Sequence, residues 1–389
     1  MPEVEKPAVR VNLRAILLAV VVICLGLIIF SKFRPKPGWV AASIPPIVRG
    51  PLKPLTPPLT ANRLELLSDL RARRFDALDA KLKGYEEQAE RDVTQEVNAR
   101  LALEAFDNSD QGLDPLLEQW VKRSPGSYSA HLAWATLLFT RGGEARGDKW
   151  ASQTTEQQFA RMRAFFVQGA REARAALALN PKLAWAYGLL LEQQKGEAGP
   201  GACLQAGQSA LRQIPASYEI RARVMSCLEP RWGGSYRAMD WFAREAQTFV
   251  HQNPRLAALK GLADFDRADR LSANSQYVPA IVLLTHVIAV DGDHAAFYRA
   301  RGDAFNSMER YADAIEDLRR ADQLWPQYPP TLELLANVML RAGKYQDGLN
   351  AINLAIQIGG PRPDDEQLRT SLLMQLQRTS QAKAAAGGD

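Results

Sequence analysis

Residues 277–310 read YVPAIVLLTHVIAVDGDHAAFYRARGDAFNSMER, residues 311–344 read YADAIEDLRRADQLWPQYPPTLELLANVMLRAGK, and Tyr345 opens the next copy. Tyr277, Tyr311 and Tyr345 are 34 residues apart, and small or apolar residues repeat in step with them. Ala268, Gly302 and Ala336 hold one position of the frame, and Ala280, Ala314 and Gly348 a second. Leu284, Leu318 and Ile352 hold a third, and Val287, Ala321 and Ala355 a fourth. Small residues recurring at this period predict two antiparallel helices per repeat, crossing where the side chains are small and stacking into a solenoid.

Upstream the same frame is legible but worn. Leu64, Leu67, Leu70, Phe75, Leu78 and Leu82 keep a helical three-to-four spacing, and Val93, Val97, Leu101, Leu103 and Phe106 follow. Pro181 and Pro215 are again 34 apart, whereas Pro215 and Pro254 are 39 apart, because the segment Glu229 to Ser235 lengthens one connection. A second long loop runs from Gly142 to Ser152. No stretch alternates strictly between polar and apolar residues, so the class is all-α. The organisation expected is a divergent helical-repeat domain over 62–256, three regular repeats over 257–378 and a disordered tail over 379–389.

The 34-residue frame resembles the tetratricopeptide repeat, whose members are mostly adaptors and assembly scaffolds. A second resemblance rests on Ser124-Pro125-Gly126-Ser127-Tyr128, Glu144-Ala145-Arg146-Gly147, Asn180-Pro181 with Ala186-Tyr187, and Pro230-Arg231-Trp232-Gly233-Gly234-Ser235. Residues from about Arg74 to Asn253 are similar to a bacterial family known only as a domain of unknown function. That resemblance implies a helical fold and a bacterial origin, and lends no catalytic residue.

The first 61 residues have another character. Residues 1–14 are a short basic tail, and Ala15 to Phe30 is an uncharged apolar run bracketed by Arg14 and Lys32. A transmembrane anchor over 15–31 is expected, since flanking basic side chains reach the headgroups. A signal peptide would need a small-residue cleavage site after the apolar run, and Ser31-Lys32-Phe33-Arg34-Pro35 offers none. Basic residues flank the segment on both sides, so the charge rule leaves orientation open. A short basic N-terminus before a single span places the body outside the cytosol, which in a bacterium means the periplasmic side of the inner membrane. Residues 32–61 carry eight prolines, which deny helix and central strand and predict an extended spacer.

Charge follows this division. The net charge of +5 comes from residues 1–60, with eight Lys/Arg against two Glu, and the rest of the 389-residue chain is close to neutral. Nucleic acid is therefore not an expected partner, because phosphate binding needs a basic folded face.

Catalytic patterns are absent from the sequence. His131, His251, His286 and His294 form no HExxH, and no Walker loop, GxGxxG or GxSxG occurs. Cys203 and Cys227 lack CxxC spacing and read as two buried thiols, able to pair in an oxidising compartment. Glu86-Glu87 and Asp364-Asp365-Glu366 read as solvated helix starts or faces. No cofactor, metal site or enzyme activity is expected.

Function is expected on the inner face. In the tetratricopeptide family the first helix of each repeat lines the groove at frame positions five, nine, twelve and thirteen. The matching residues are Phe265, Asp269 and Ser272, then Arg299, Asp303, Asn306 and Ser307, then Glu333, Asn337 and Arg341. A mixed-charge groove suits a peptide or a protein helix. Carboxylate-clamp members carry Lys at position five, where this chain has Phe265, Arg299 and Glu333, which argues against that mode. The Trp232 loop has two readings. Gly233 and Gly234 adopt left-handed angles, Ser235 caps a helix and Trp232 plugs the gap, or else Arg231 and Trp232 border a small-ligand pocket. The expectation is a membrane-anchored scaffold for protein or peptide partners. An envelope enzyme or small-ligand receptor at the Trp232 loop is the alternative, and self-association of the repeats a third.

Overall fold

The computed structural model describes Ile44, Ile47, residues 49–147 and residues 151–386. The expected anchor, Ala15 to Phe30, lies outside the described residues. Among those described, no helix is long and apolar enough to cross a membrane. The described residues from Ile47 onward form one compact unit.

Seventeen α-helices and no strand occur among the described residues. The divergent half holds α1 (Arg63–Arg71), α2 (Phe75–Arg91), α3 (Glu96–Leu103), α4 (Asp114–Arg123) and α5 (Tyr128–Arg146). It continues with α6 (Glu156–Leu179), α7 (Ala184–Glu197), α8 (Gly199–Leu211), α9 (Tyr218–Cys227) and α10 (Tyr236–Ala246). The regular half is three hairpins, α11 (Leu262–Ala273) with α12 (Tyr277–Asp291), α13 (Ala295–Ser307) with α14 (Tyr311–Leu324), and α15 (Pro329–Arg341) with α16 (Tyr345–Gly359). The last helix, α17 (Pro363–Ala386), packs on α16 through Leu372.

The frame seen in the sequence has a local cause. Ser275, Glu309 and Gly343, each two residues before a repeat tyrosine, take left-handed φ angles of 59°, 61° and 73°. Each lets the next backbone N–H bond back five residues, Gln276 to Leu271, Arg310 to Phe305 and Lys344 to Met339, at 2.8–2.9 Å. Arg73, at φ 54°, makes the same turn between α1 and α2, with Arg74 N–H bonding Asp69 O at 2.9 Å. Serine caps start α5, α9 and α10, where Ser127, Ser217 and Ser235 accept from Ala130, Ile220 and Ala238. The small frame positions are close contacts. A Cβ on Gly302 would lie 3.0 Å from Leu318 Cγ, and one on Gly348 would lie 2.8 Å from Leu372 Cδ2.

Four expectations change. The loop expected from Gly142 is helical as far as Arg146, where α5 ends. The proline-rich stretch is not a free spacer from Arg49 onward, but a strap bound along the regular repeats. Arg49 reaches Asp313 at 3.2 Å and Asp317 at 3.1 Å, and Arg320 donates to Gly50 O at 2.9 Å. Leu52 packs with Tyr298, Ala321 and Leu324, while Leu59 packs with Val97, Leu101 and Trp325. Asn98 accepts from Thr60 N–H and donates to Pro58 O, at 2.8 and 3.1 Å. Proline forbids regular hydrogen bonding, but the leucines between the prolines still have apolar surface to bury. The tail after Gln377 continues as helix to Ala386, since Gln, Lys and Ala are good helix formers. Cys203 and Cys227 are joined in a disulfide rather than left as two thiols, because α8 and α9 bring their Cα atoms to 6.3 Å.

Candidate functional site

Helix α3 organises the interior. Of its eight residues only Arg100 is not fully buried, and the helix carries two charged side chains, Glu96 and Arg100, into contact with distant repeats. Glu96 accepts from Ser217 Oγ at 2.6 Å, Tyr218 N–H at 2.6 Å and Asn253 Nδ2 at 2.9 Å. Arg100 bonds Glu104 at 2.9 Å and Glu219 at 2.7 Å, and Arg255 bonds the other Glu219 oxygen. Both guanidinium groups lie over the Trp325 ring, at 4.9 and 5.3 Å from its centroid, and Trp325 Nε1 donates to Glu104 at 3.0 Å. Arg63 bridges Glu104 and the Gln327 carbonyl.

These charges set one another's protonation. Burial works against the Glu219 carboxylate, but Arg100 and Arg255 outweigh it and hold its pKa below the usual range. Glu96 goes the other way, raised to about 7 by burial and by the charge on Glu219. His294, whose ring meets the Tyr218 hydroxyl at 2.8 Å, is pushed down to about 3 by burial and by Arg255 and Arg100, so it is neutral at neutral pH. The network holds the fold together; each of its carboxylates already has partners.

Glu86 on α2 has none. It is buried, makes no hydrogen bond among the described residues, and is raised to about 8 by burial and by Glu90 and Glu96. Its folded-state pKa exceeds its unfolded value, so the native state binds an extra proton between about pH 4.5 and 8. Stability must then fall as pH rises through that window. Glu86→Gln is expected to stabilise the chain by about 2 kcal/mol at pH 7.5 and by almost nothing at pH 4. Urea melts of the two proteins at both pH values measure it, and an equal shift at both would refute the assignment.

A cleft of about 780 Å³ opens where the first helices meet the last. Asn108 Nδ2 donates to Ile358 O at 2.6 Å and Ser109 N–H to Gly359 O at 2.7 Å, closing one end of the array onto the other. Six carboxylates line the cleft, Glu104, Asp107, Glu144, Glu333, Asp364 and Asp365, against two arginines, Arg63 and Arg362. Both arginines are engaged: Arg63 with Glu104, and Arg362 with Glu333 and with Asp365 at 3.2 Å. Glu144 pairs with Arg141 at 3.1 Å. Asp107 accepts only from the Thr140 hydroxyl, at 2.8 Å, and the surrounding protein desolvates it and raises its pKa. Tyr328, Pro329, Pro330, Pro361 and Pro363 supply rigid apolar wall. Such a cleft fits a positively charged chain segment.

Part of the expected groove set lies together: Asp303 neighbours Arg299, Asn306 and Asp269, and Asn306 meets Arg341. Glu333 lies in the cleft. Arg299 lines a separate cavity of about 120 Å³ beneath the strap, beside Leu55, Trp325 and Tyr328. Phe265 packs on the Phe297 ring at 5.5 Å and is half-buried against the core. Asn306 is buried and accepts from the exposed Arg341 at 2.8 Å. Asp269 sits 3.5 Å from Arg231. Asp303 and Asn337 are exposed. Asp107, Glu144 and the Asp364-Asp365 pair, by contrast, come together at the cleft. Their sequence separation left no periodic signal, and the acidic pair was legible only as a helix start.

The Trp232 loop mixes its two readings. Gly233 is left-handed at φ 88°, but Gly234 is not; a Cβ on Gly234 would fall 2.0 Å from Leu228 O. Trp232 plugs no gap. It is 38% exposed, with Lys195 Nζ over its ring at 5.0 Å. Arg231 is held by Glu229 at 2.9 Å and Asp266 at 2.5 Å. Among the described residues no group of three or more His, Cys, Asp or Glu is arranged to hold a metal.

No protein-family model matches the chain. A stretch of 133 residues, 32% of the chain, is 21% identical to the small glutamine-rich tetratricopeptide repeat-containing protein 2 of Mycosarcoma maydis, and spans 37% of that protein's length. Among solved structures, the chain is similar over 79% of its length to 55% of a chain in the APC/C hetero-tetramer Cut9-Hcn1, at 14% identity and a TM-score of 0.33. It is similar over 82% of its length to 98% of the P58(IPK) TPR domain, at 14% identity and a TM-score of 0.30. The described residues form an all-α solenoid of tetratricopeptide-like helix pairs.

Proposed function

We propose that this chain is a membrane-anchored scaffold of the bacterial envelope that receives a basic segment of a protein partner in the acidic cleft. The observation that carries the reading is the cleft itself: about 780 Å³, six carboxylates, and no arginine in its lining left unpaired. A Lys/Arg-rich segment would complement this charge and steer encounter from a distance. The apolar run Ala15 to Phe30 is the anchor, and tethering raises the local concentration of partners at the bilayer. The Cys203–Cys227 disulfide supports a body facing an oxidising compartment, in keeping with the periplasmic side.

The test is capture from envelope extract by the full-length chain in detergent, with crosslinking and mass spectrometry. Partners should share a basic segment and should be lost when Asp107→Asn, Glu144→Gln and Asp364→Asn are combined. Capture that survives both this triple variant and 0.5 M salt would place the binding surface elsewhere.

A further inference from the structure

Five arginines are buried among the described residues: Arg63, Arg141, Arg221, Arg255 and Arg301. Four hold carboxylates. Arg63 has Glu104, Arg141 has Asp114 and Glu144, Arg255 has Glu219, and Arg301 has Asp317. Arg221, 5% exposed, has none. Its side chain donates to the Ser217 carbonyl at 3.2 Å and lies over the Phe249 ring at 4.7 Å, and it makes no ion pair among the described residues. A guanidinium out of water without a counter-ion is costly, and a single carbonyl and a ring face answer only part of its five donors. Burial accordingly pulls its pKa down to about 10, and the more distant Glu96 and Glu245 do not make up the loss. Glu96 is already occupied by Ser217, Tyr218 and Asn253.

Arg221 lines a cleft of about 380 Å³ between the α8–α9 turn and α10. Leu211, Phe242 and Phe249 form its apolar wall, Arg212 adds a second positive charge, and Glu245 is the one carboxylate in its lining. We propose that this cleft binds a carboxylate carried on an apolar body, with Arg221 as the anion partner and the two phenylalanines against the apolar group. The ligand supplies the counter-charge that the chain supplies to each of the other four buried arginines. Two sources share this chemistry, a free aryl or alkyl carboxylate and the C-terminal residue of an apolar peptide.

Titration calorimetry on the full-length chain in detergent decides it, using 3-phenylpropanoate and acetyl-Gly-Gly-Phe, each beside its amide. A carboxylate is expected to bind at least tenfold more tightly than its amide. Binding of the peptide alone assigns the ligand to chain ends, and binding of phenylpropanoate alone to a small molecule. Arg221→Met should stay folded, having lost an uncompensated charge, and should abolish the preference for carboxylate over amide. Glu245→Gln, at an exposed position, should tighten carboxylate binding several-fold. No binding by either carboxylate, or amides that bind equally well, overturns the proposal. If Arg221→Met does not fold, an unchanged affinity in Glu245→Gln overturns it.

Discussion

Glu219→Gln is expected to destabilise the chain by about 3–5 kcal/mol at neutral pH, the range for removing one partner of a buried ion pair. The carboxylate is buried, and its two oxygens hold Arg100 and Arg255, which both stack on Trp325. An amide leaves one oxygen to accept and no charge, so two guanidinium groups stay desolvated with Glu104 alone to balance them. The loss should couple distant parts of the chain, because Arg100 lies on α3 while Arg255 precedes α11. The sign of the pH dependence follows from the lowered pKa of Glu219. Its stabilisation is fully present above the ordinary carboxylate range and disappears as pH falls through the folded-state value. Wild type and variant should therefore converge in strongly acidic solution and diverge by pH 6. Denaturant melts across pH measure this, and a variant within 1 kcal/mol of wild type at pH 7 would mean the network contributes little. A triple replacement by apolar residues, Glu219→Leu with Arg100→Met and Arg255→Met, should recover much of the loss, since the cost lies in unpaired charge rather than in the missing pair.

Opening the Cys203–Cys227 bond should cost about 3 kcal/mol, the chain-entropy value for a closed loop of 24 residues. Both cysteines are buried, at 0% and 1% exposure, so the native packing holds them together whether or not they are bonded. The effect then falls mainly on the unfolded chain. Cys203→Ala with Cys227→Ala should lower stability by nearly the amount that a reducing agent lowers wild type, and adding the reductant to the variant should change nothing further. Equal stability of oxidised and reduced wild type would remove the bond from the account, and with it the support it lends to a body on the oxidising side of the membrane.

Much of the fold was legible because its signals are local. Tyr277, Tyr311 and Tyr345 mark second helices, Gly302 and Gly348 mark crossings too tight for a larger residue, and Ser235 marks a helix start. Each follows from a residue's own conformational preference or from contact with the next helix. The expected groove is legible in part, since Asp303 lies beside Arg299, Asn306 and Asp269. Family frame positions singled out Phe265, Asn306 and Arg341, which the structure turns to packing and internal hydrogen bonds. Asp107 and Asp365 went unread as partners in one cleft because more than 250 positions separate them. The strap illustrates the same limit. Its prolines announced a chain without helix, which holds over residues 49–62, yet nothing near Arg49 announces Asp317.

By itself, then, the sequence determined the helix pairs, their 34-residue period, the turns between them and the separation of a basic, apolar N-terminus from a near-neutral body. These rest on backbone propensity, capping and nearest-neighbour packing, which act over one or two turns of chain. Only the tertiary structure decided that α3 enters the interior, that Glu104 meets Trp325, that the strap is bound and that six carboxylates face one cleft. Such contacts depend on how many small repeat-to-repeat rotations add up before the two ends meet. No single repeat encodes that sum, so no local pattern announces which charges will be buried together when the array closes.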